Sequence, residues 1–372
     1  MGDDNECRTA EARCMETTSV LDHPRLTAFE APPDRSTFRG EIPPSASRAA
    51  VRSAGRRRFI RPTALVAAAG TAATLAFDRV GAVLVVVLFV LVVPFEKLFP
   101  RHRKKLRREA LGTDIAYALV STPLGAIGVA VGLAFAVASF AWLPGLALRP
   151  IVGLLPGGLK AIVGLVLFDI AIYWAHRWAH EVPFLWRFHS IHHSTRHLDW
   201  ISGFRNHPFD GAFFFPAFVL LLAAGFSPEF SGALAVVQFL AGLFAHANVR
   251  WRLRPLHKIV ITPEFHHWHH ADETAAINKN YSVFLPAWDL LFGTYYMPAD
   301  RRPTVYGVSA PTPTGIVAQL WHPLRGLRNP VWMLRHPWRG ARSLAAMLRR
   351  GGRQMIATMR RPDPPHPGSY TA

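Results

Sequence analysis

Residues 80–95, VGAVLVVVLFVLVVPF, contain no polar side chain, and further apolar blocks occupy 114–142, 158–175, 209–225 and 230–245. A membrane span needs about 20 mostly apolar residues, within a range of roughly 17–25. Blocks this clean and this frequent are rare in soluble cores. The chain therefore reads as an all-α integral membrane protein with roughly four to six transmembrane helices. Two apolar hairpins and an N-terminal segment carry a His-rich helical cap.

The net charge of +18 would ordinarily raise nucleic acid as a partner. Here the cations sit beside the apolar blocks, in RSAGRRRFIRP (52–62) and RHRKKLRR (101–108). Residues 301–361 carry twelve Arg and no Lys, Asp or Glu. Such flanks follow the positive-inside rule and suit anionic lipid head groups. Membrane is the partner this charge implies, and nucleic acid is not. Cys7 and Cys14 are too few for a disulfide framework and form no CxxC metal knot.

Three regions follow. Residues 1–60 lack sustained periodicity and read as a disordered tail. Residues 61–310 form the membrane-embedded domain, and 311–372 an Arg-rich amphipathic or peripheral tail. RRRFIRPTALVAAAGTAATLAF (56–77) has the outline of a twin-arginine export signal. Its apolar part runs on into another span, far from the N-terminus, so a basic flank on a first membrane segment is the preferred reading. YSVFLPAWDLLFGTYY (281–296) is short and aromatic, which suits a docking helix. Because each hairpin crosses and returns, both His-rich segments emerge on the side of the basic connector 101–108. The positive-inside rule assigns that side to the cytoplasm of the cell membrane.

Thirteen of the eighteen histidines lie between 176 and 270. They cluster in HRWAH (176–180), HSIHH (189–193) and HHWHH (266–270), with singles at His197, His207, His246 and His257. On a helix, i and i+4 share a face, so His176 and His180 can hold one metal between them. HxxHH spacing places three imidazoles within about 100° of arc, enough to reach two metals. Imidazole suits Zn, Fe, Cu and Ni, and no Cys is near to draw a thiolate-loving metal. Eight or more histidines exceed one coordination sphere, so two metals follow. A zinc peptidase would need the Glu of HExxH, where this chain has Arg177. A transporter would place ligands mid-membrane, whereas these lie at the span ends. A redox-active pair at the edge of the bilayer suits O2 activation against a lipid C–H bond. The rivals are a non-catalytic metal-binding membrane protein and a metal transporter.

The order HxxxH, HxxHH, HxxHH resembles the fatty acid hydroxylase and sterol desaturase superfamily of membrane di-iron oxygenases, in particular its bacterial sterol-desaturase-like members. LWRFHSIHHS (185–194), FRNHPFD (204–210), FAHANVRW (244–251), ITPEFHHWHH (261–270), NKNYS (278–282) and WDLLFGTYY (288–296) carry the likeness. The resemblance implies O2-dependent hydroxylation or desaturation of a lipid, a sterol or fatty acyl chain. It implies two Fe ions, with Zn possible as a substitute, and O2 as co-substrate. Electrons would come from a separate ferredoxin- or haem-type carrier with its reductase. Carried over residue by residue, the metal ligands are His176, His180, His189, His192, His193, His266, His269 and His270, joined by His207 and His246. Ser190 stands in HSIHH where His267 stands in the third box, which makes His267 the passenger. Asn248, Asn280, Asp199 and Asp272 are expected to orient ligand rings from behind. Arg205 and Arg250 suit either contact with a lipid head group or ordinary anchoring at the bilayer. No catalytic group beyond the metal ligands is expected.

Overall fold

The computed structural model describes residues 64–69, 71–72, 75–76, 79–103, 108–140, 142–325, 332 and 335–360. The tail expected over 1–60 and most of the export-signal outline lie outside them. Among the described residues every regular element is helical, and β-type pairing is limited to isolated bridges such as Pro100 with Val249.

The apolar run at 80–95 lies within helix α1, Arg79–Leu98. The expected first arm, 114–142, is broken in two: α2 (Leu111–Leu119) and α3 (Ser121–Ser139) meet at a bend of 67°. Then come α4 (Leu143–Gly153), α5 (Gly157–Glu181) and α6 (Pro183–His193). A 3-10 turn at Trp200–Phe204 leads into α7 (Pro208–Ala223) and α8 (Pro228–Ala245). The cap continues with α9 (Pro263–His269), α10 (Ala287–Leu291) and α11 (Ile316–Trp321), and α12 (Pro337–Arg360) follows.

The described helices supply candidates for the four to six spans expected from the blocks. By length and composition α5 and α9's neighbour α8 can cross, and the bent pair α2–α3 makes a third if counted as one span. Helix α1, at 20 residues, is also of spanning length. Helix α7 has only 16 residues, about 24 Å at 1.5 Å per residue, short of the ~30 Å hydrocarbon layer. It is nonetheless the hub of the bundle, packing on α3, α4, α5, α6 and α8. Close approach explains how. A Cβ on Gly132 would stand 2.6 Å from the Phe215 Cβ, and one on Gly145 would meet the Leu220 carbonyl. Small residues let backbones approach where lipid gives helices no hydrophobic reason to associate.

Outward faces of the bundle are apolar: Val86 and Leu91 on α1, Ile127 and Val137 on α3, Ile162 on α5 and Val236 on α8 are exposed. An apolar surface of this extent is covered by lipid, not water. The chain is an integral membrane protein. The C-terminal ends of α5 and α8 lie together, and the His-rich segments gather there.

Candidate metal centre

Local sequence fixes each ligand-bearing element. Val182 is at once the C-cap of α5 and the N-cap of α6, with Pro183 at the first helical position. The chain therefore turns sharply between HxxxH and the first HxxHH. At α9 the Thr262 hydroxyl accepts from the Phe265 amide, again followed by Pro, Pro263. His246 falls at the C-cap of α8.

Nine imidazoles form two groups, in each of which the ligand atoms lie within 4.8 Å of one another. The first is His176, His180, His189, His193 and His269; the second is His192, His246, His266 and His270. Each HxxHH box is divided between them. In α6 the i,i+4 pair His189 and His193 serves the first group, and His192 crosses to the second. At α9 the pair His266 and His270 serves the second group, and His269 crosses to the first. The groups abut, the His193 and His270 rings stacking 4.1 Å apart.

The hydrogen bonds behind the rings decide which nitrogen faces inward. Through Nδ1, His176 donates to Tyr281 O (2.7 Å), His192 to Arg205 O (3.2 Å), His246 to Gly242 O (2.6 Å) and His269 to Lys279 O (2.9 Å). His189 Nδ1 donates to the Asp210 carboxylate at 2.9 Å, with both side chains buried. An N–H at Nδ1 leaves Nε2 a bare lone pair in neutral imidazole. Yet His176 and His189 bring their Nε2 atoms to 3.2 Å, as do His192 and His246. Two lone pairs facing each other with no proton between them repel unless a cation lies there. The spacing fits this, since ligands at about 2.0–2.1 Å from one metal stand about 2.9–3.4 Å apart. His180, His193 and His269 each leave a buried Nε2 without a hydrogen-bond partner. A buried polar atom so left costs about 1–3 kcal/mol, which a metal would offset. The donor set fits two imidazole-ligated metals.

Protonation favours the same state. Burial first, then neighbouring imidazoles, hold His192, His193, His266 and His270 well below the usual histidine range. Burial lowers His246 to about 4 and His269 to about 3. These rings are neutral at pH 7, the form that ligates.

Other residues singled out in the sequence lie elsewhere. His207 joins neither group: it caps α7, its Nδ1 accepting from the Phe209 amide while Nε2 donates to Leu320 O. Both nitrogens are thereby engaged. His267 is fully buried, but Arg101 donates to its Nδ1 at 3.0 Å and its ring meets Tyr306. His197 and His257 are half-buried and outside both groups. Asn248 ties the 101–103 segment to the end of α8, exchanging hydrogen bonds with the backbone of His102. Asn280 joins Phe265 O to the backbone of Tyr296. Asp199 caps the 3-10 turn and pairs with Arg108, and Asp272 accepts from Ser309. The orienting partners come instead from Asp210 and four backbone carbonyls. Arg205 faces no lipid: it is buried and paired with Asp114. The signal for Asp210 was a carboxylate just inside an apolar helix, in FRNHPFD, where an unpaired charge would be costly.

Fold and site together define a helical membrane protein with two abutting histidine groups, each able to hold a metal, at one end of its bundle. The model of the fatty acid hydroxylase family matches residues 161–294. An ornithine lipid hydroxylase of Rhizobium tropici is 36% identical over 236 residues, 62% of this chain and 71% of that protein. Alkylglycerol monooxygenases of Danio rerio and Homo sapiens are 31% and 32% identical over 149 and 150 residues. Those stretches are 39% of this chain and 32% of each relative, so the chain spans about a third of their length. No solved structure matches. The chain belongs to the fatty acid hydroxylase family, and it is an oxidoreductase of that family.

Proposed function

We propose that this protein hydroxylates a membrane lipid with O2 at a centre of two histidine-bound iron ions. The observation that carries the reading is the set of nine imidazoles, eight of them buried, gathered in two abutting groups with inward nitrogens that face one another. Reduced iron held there would supply O2-dependent oxidation of a C–H bond, and zinc could replace it structurally without redox chemistry. The first group would be held by His176, His180, His189, His193 and His269, the second by His192, His246, His266 and His270; His207 is left out.

The chain's own residues do the positioning. Asp210 and the carbonyls of Tyr281, Arg205, Gly242 and Lys279 keep the protons on Nδ1 and the lone pairs inward. The apolar bundle brings a lipid to the groups from the bilayer and excludes water. The names of the relatives, an ornithine lipid hydroxylase and alkylglycerol monooxygenases, favour hydroxylation over desaturation and a lipid with a polar head. The reductant would be a separate ferredoxin- or haem-type carrier. Arg101 and Arg108, of the basic connector, bond His267 and Asp199 of the cap, which favours one common side for connector and site. The positive-inside rule makes that side the cytoplasm of the cell membrane.

Expression in a host without this activity, followed by comparison of extracted lipids under isotopically heavy O2, tests the proposal. The expected result is a lipid gaining one labelled oxygen in cells with the wild-type chain and none with His193→Ala. An unchanged lipidome with stoichiometric zinc in the purified protein would point to a metal-binding protein without turnover.

A further inference from the structure

An open cavity of about 260 Å³ lies beside the N-terminal end of α9. Its wall includes Glu264, which is about 200° round the helix from His266, so the cavity is on the side of α9 away from the metal groups. Arg252, Arg254 and Lys258 line it together, with His257 and Tyr295. The one carboxylate there is already taken: buried Glu264 pairs with Arg252 at 3.1 Å and with Arg302 at 3.4 Å. The cavity wall is therefore net cationic, and Arg254 and Lys258 are exposed.

The loop that supplies these cations also carries exposed apolar side chains. Leu256, Ile259 and Val260, interleaved with these cations, are exposed, Ile259 by 63%. The Ile261 amide donates to Phe284 O at 3.0 Å, tying this loop to the segment that enters α10. Leu291 of α10 is 68% exposed. Asp169, midway along the spanning helix α5, accepts from the Leu285 amide and the Trp288 indole and so holds α10 against the bundle. Cations beside exposed apolar side chains at the edge of a spanning bundle match the two halves of a lipid. The volume is below the roughly 300–1,000 Å³ of pockets for whole small molecules, a size for a head group with its chains left outside.

We propose that this cavity binds the phosphate head group of an anionic membrane lipid. Arg252, Arg254 and Lys258 hold the phosphate, and the acyl chains run out past Leu256, Ile259 and Val260. The site is independent of the reaction at the metal groups and stands or falls separately.

Native mass spectrometry and titration of the full-length protein in neutral detergent test it, with short-chain phosphatidylglycerol, short-chain phosphatidylcholine and inorganic phosphate as probes. Phosphatidylglycerol is expected to bind the wild type and to bind Arg254→Gln/Lys258→Gln about 30-fold more weakly, at about 1 kcal/mol for each basic residue removed. Arg339→Gln/Arg342→Gln, a charge-matched change on α12, is expected to keep the wild-type affinity, which separates a site from bulk charge. Equal loss in both double variants, binding of phosphatidylcholine or inorganic phosphate as tight as that of phosphatidylglycerol, or no lipid binding at all would overturn the proposal. Binding of an acidic protein at these residues in place of lipid would overturn it too.

Discussion

Helical geometry explains how each HxxHH box divides. Positions i and i+4 are 40° apart and point to one group, while i+3 lies about 60° to the other side and reaches across. His189 with His193, and His266 with His270, obey this, and His192 and His269 cross over. His267 lies 100° beyond His266, on the face that meets Arg101. Asp210 is the one carboxylate bonded to a ligand ring by the contacts described above. Asp210→Asn keeps its shape but removes its charge, and should weaken metal binding about 10–100-fold. Chelator competition on the folded protein reads this out; unchanged retention would mean that the contact is only packing. The boxes were legible in the sequence because ligand spacing is a local property. Their division into five and four was not, since it depends on which element faces which. His207 shows the same limit of local pattern: HP opening a helix is equally the pattern of a cap, and its ring bonds the Phe209 amide.

At the scale of elements, apolar composition located the helices and misjudged their lengths. The run 114–142 reads as one span, yet it bends by 67° between α2 and α3. Buried Asp114 in α2 pairs with Arg108 and Arg205, so this segment belongs to the cap as much as to the bilayer. Helix α10 shows how a short element acts at a distance. Asp169 accepts from the Phe284 and Leu285 amides and the Trp288 indole. Asp289 of α10 in turn accepts from the amides of Tyr281 and Ser282, and the Tyr281 carbonyl accepts a hydrogen bond from His176 Nδ1. Asp169→Ala leaves three half-buried donors without their acceptor and should cost about 1–3 kcal/mol, seen as a lower midpoint of thermal unfolding in detergent. Metal retention should fall with it, because Tyr281 loses its support. A midpoint within a degree of wild type would remove Asp169 from this chain of contacts.

For the molecule as a whole, the two His-rich segments, well separated in the chain, come together at one end of the bundle. The ends of α5 and α8 do meet, and with α6 and α9 they gather ligands separated by up to 94 residues in the chain, from His176 to His270. What the sequence could not supply was the hub role of α7, which follows from small-residue contacts such as Gly132 against Phe215. The central claim is that nine imidazoles bind two metals. Metal analysis of purified full-length protein, normalised to folded chain, tests it most directly. The account predicts two irons per chain in the wild type and in His267→Ala, and no more than one in His192→Ala and in His193→Ala. One metal or fewer in the wild type, or equal losses from His267→Ala and His192→Ala, would contradict it.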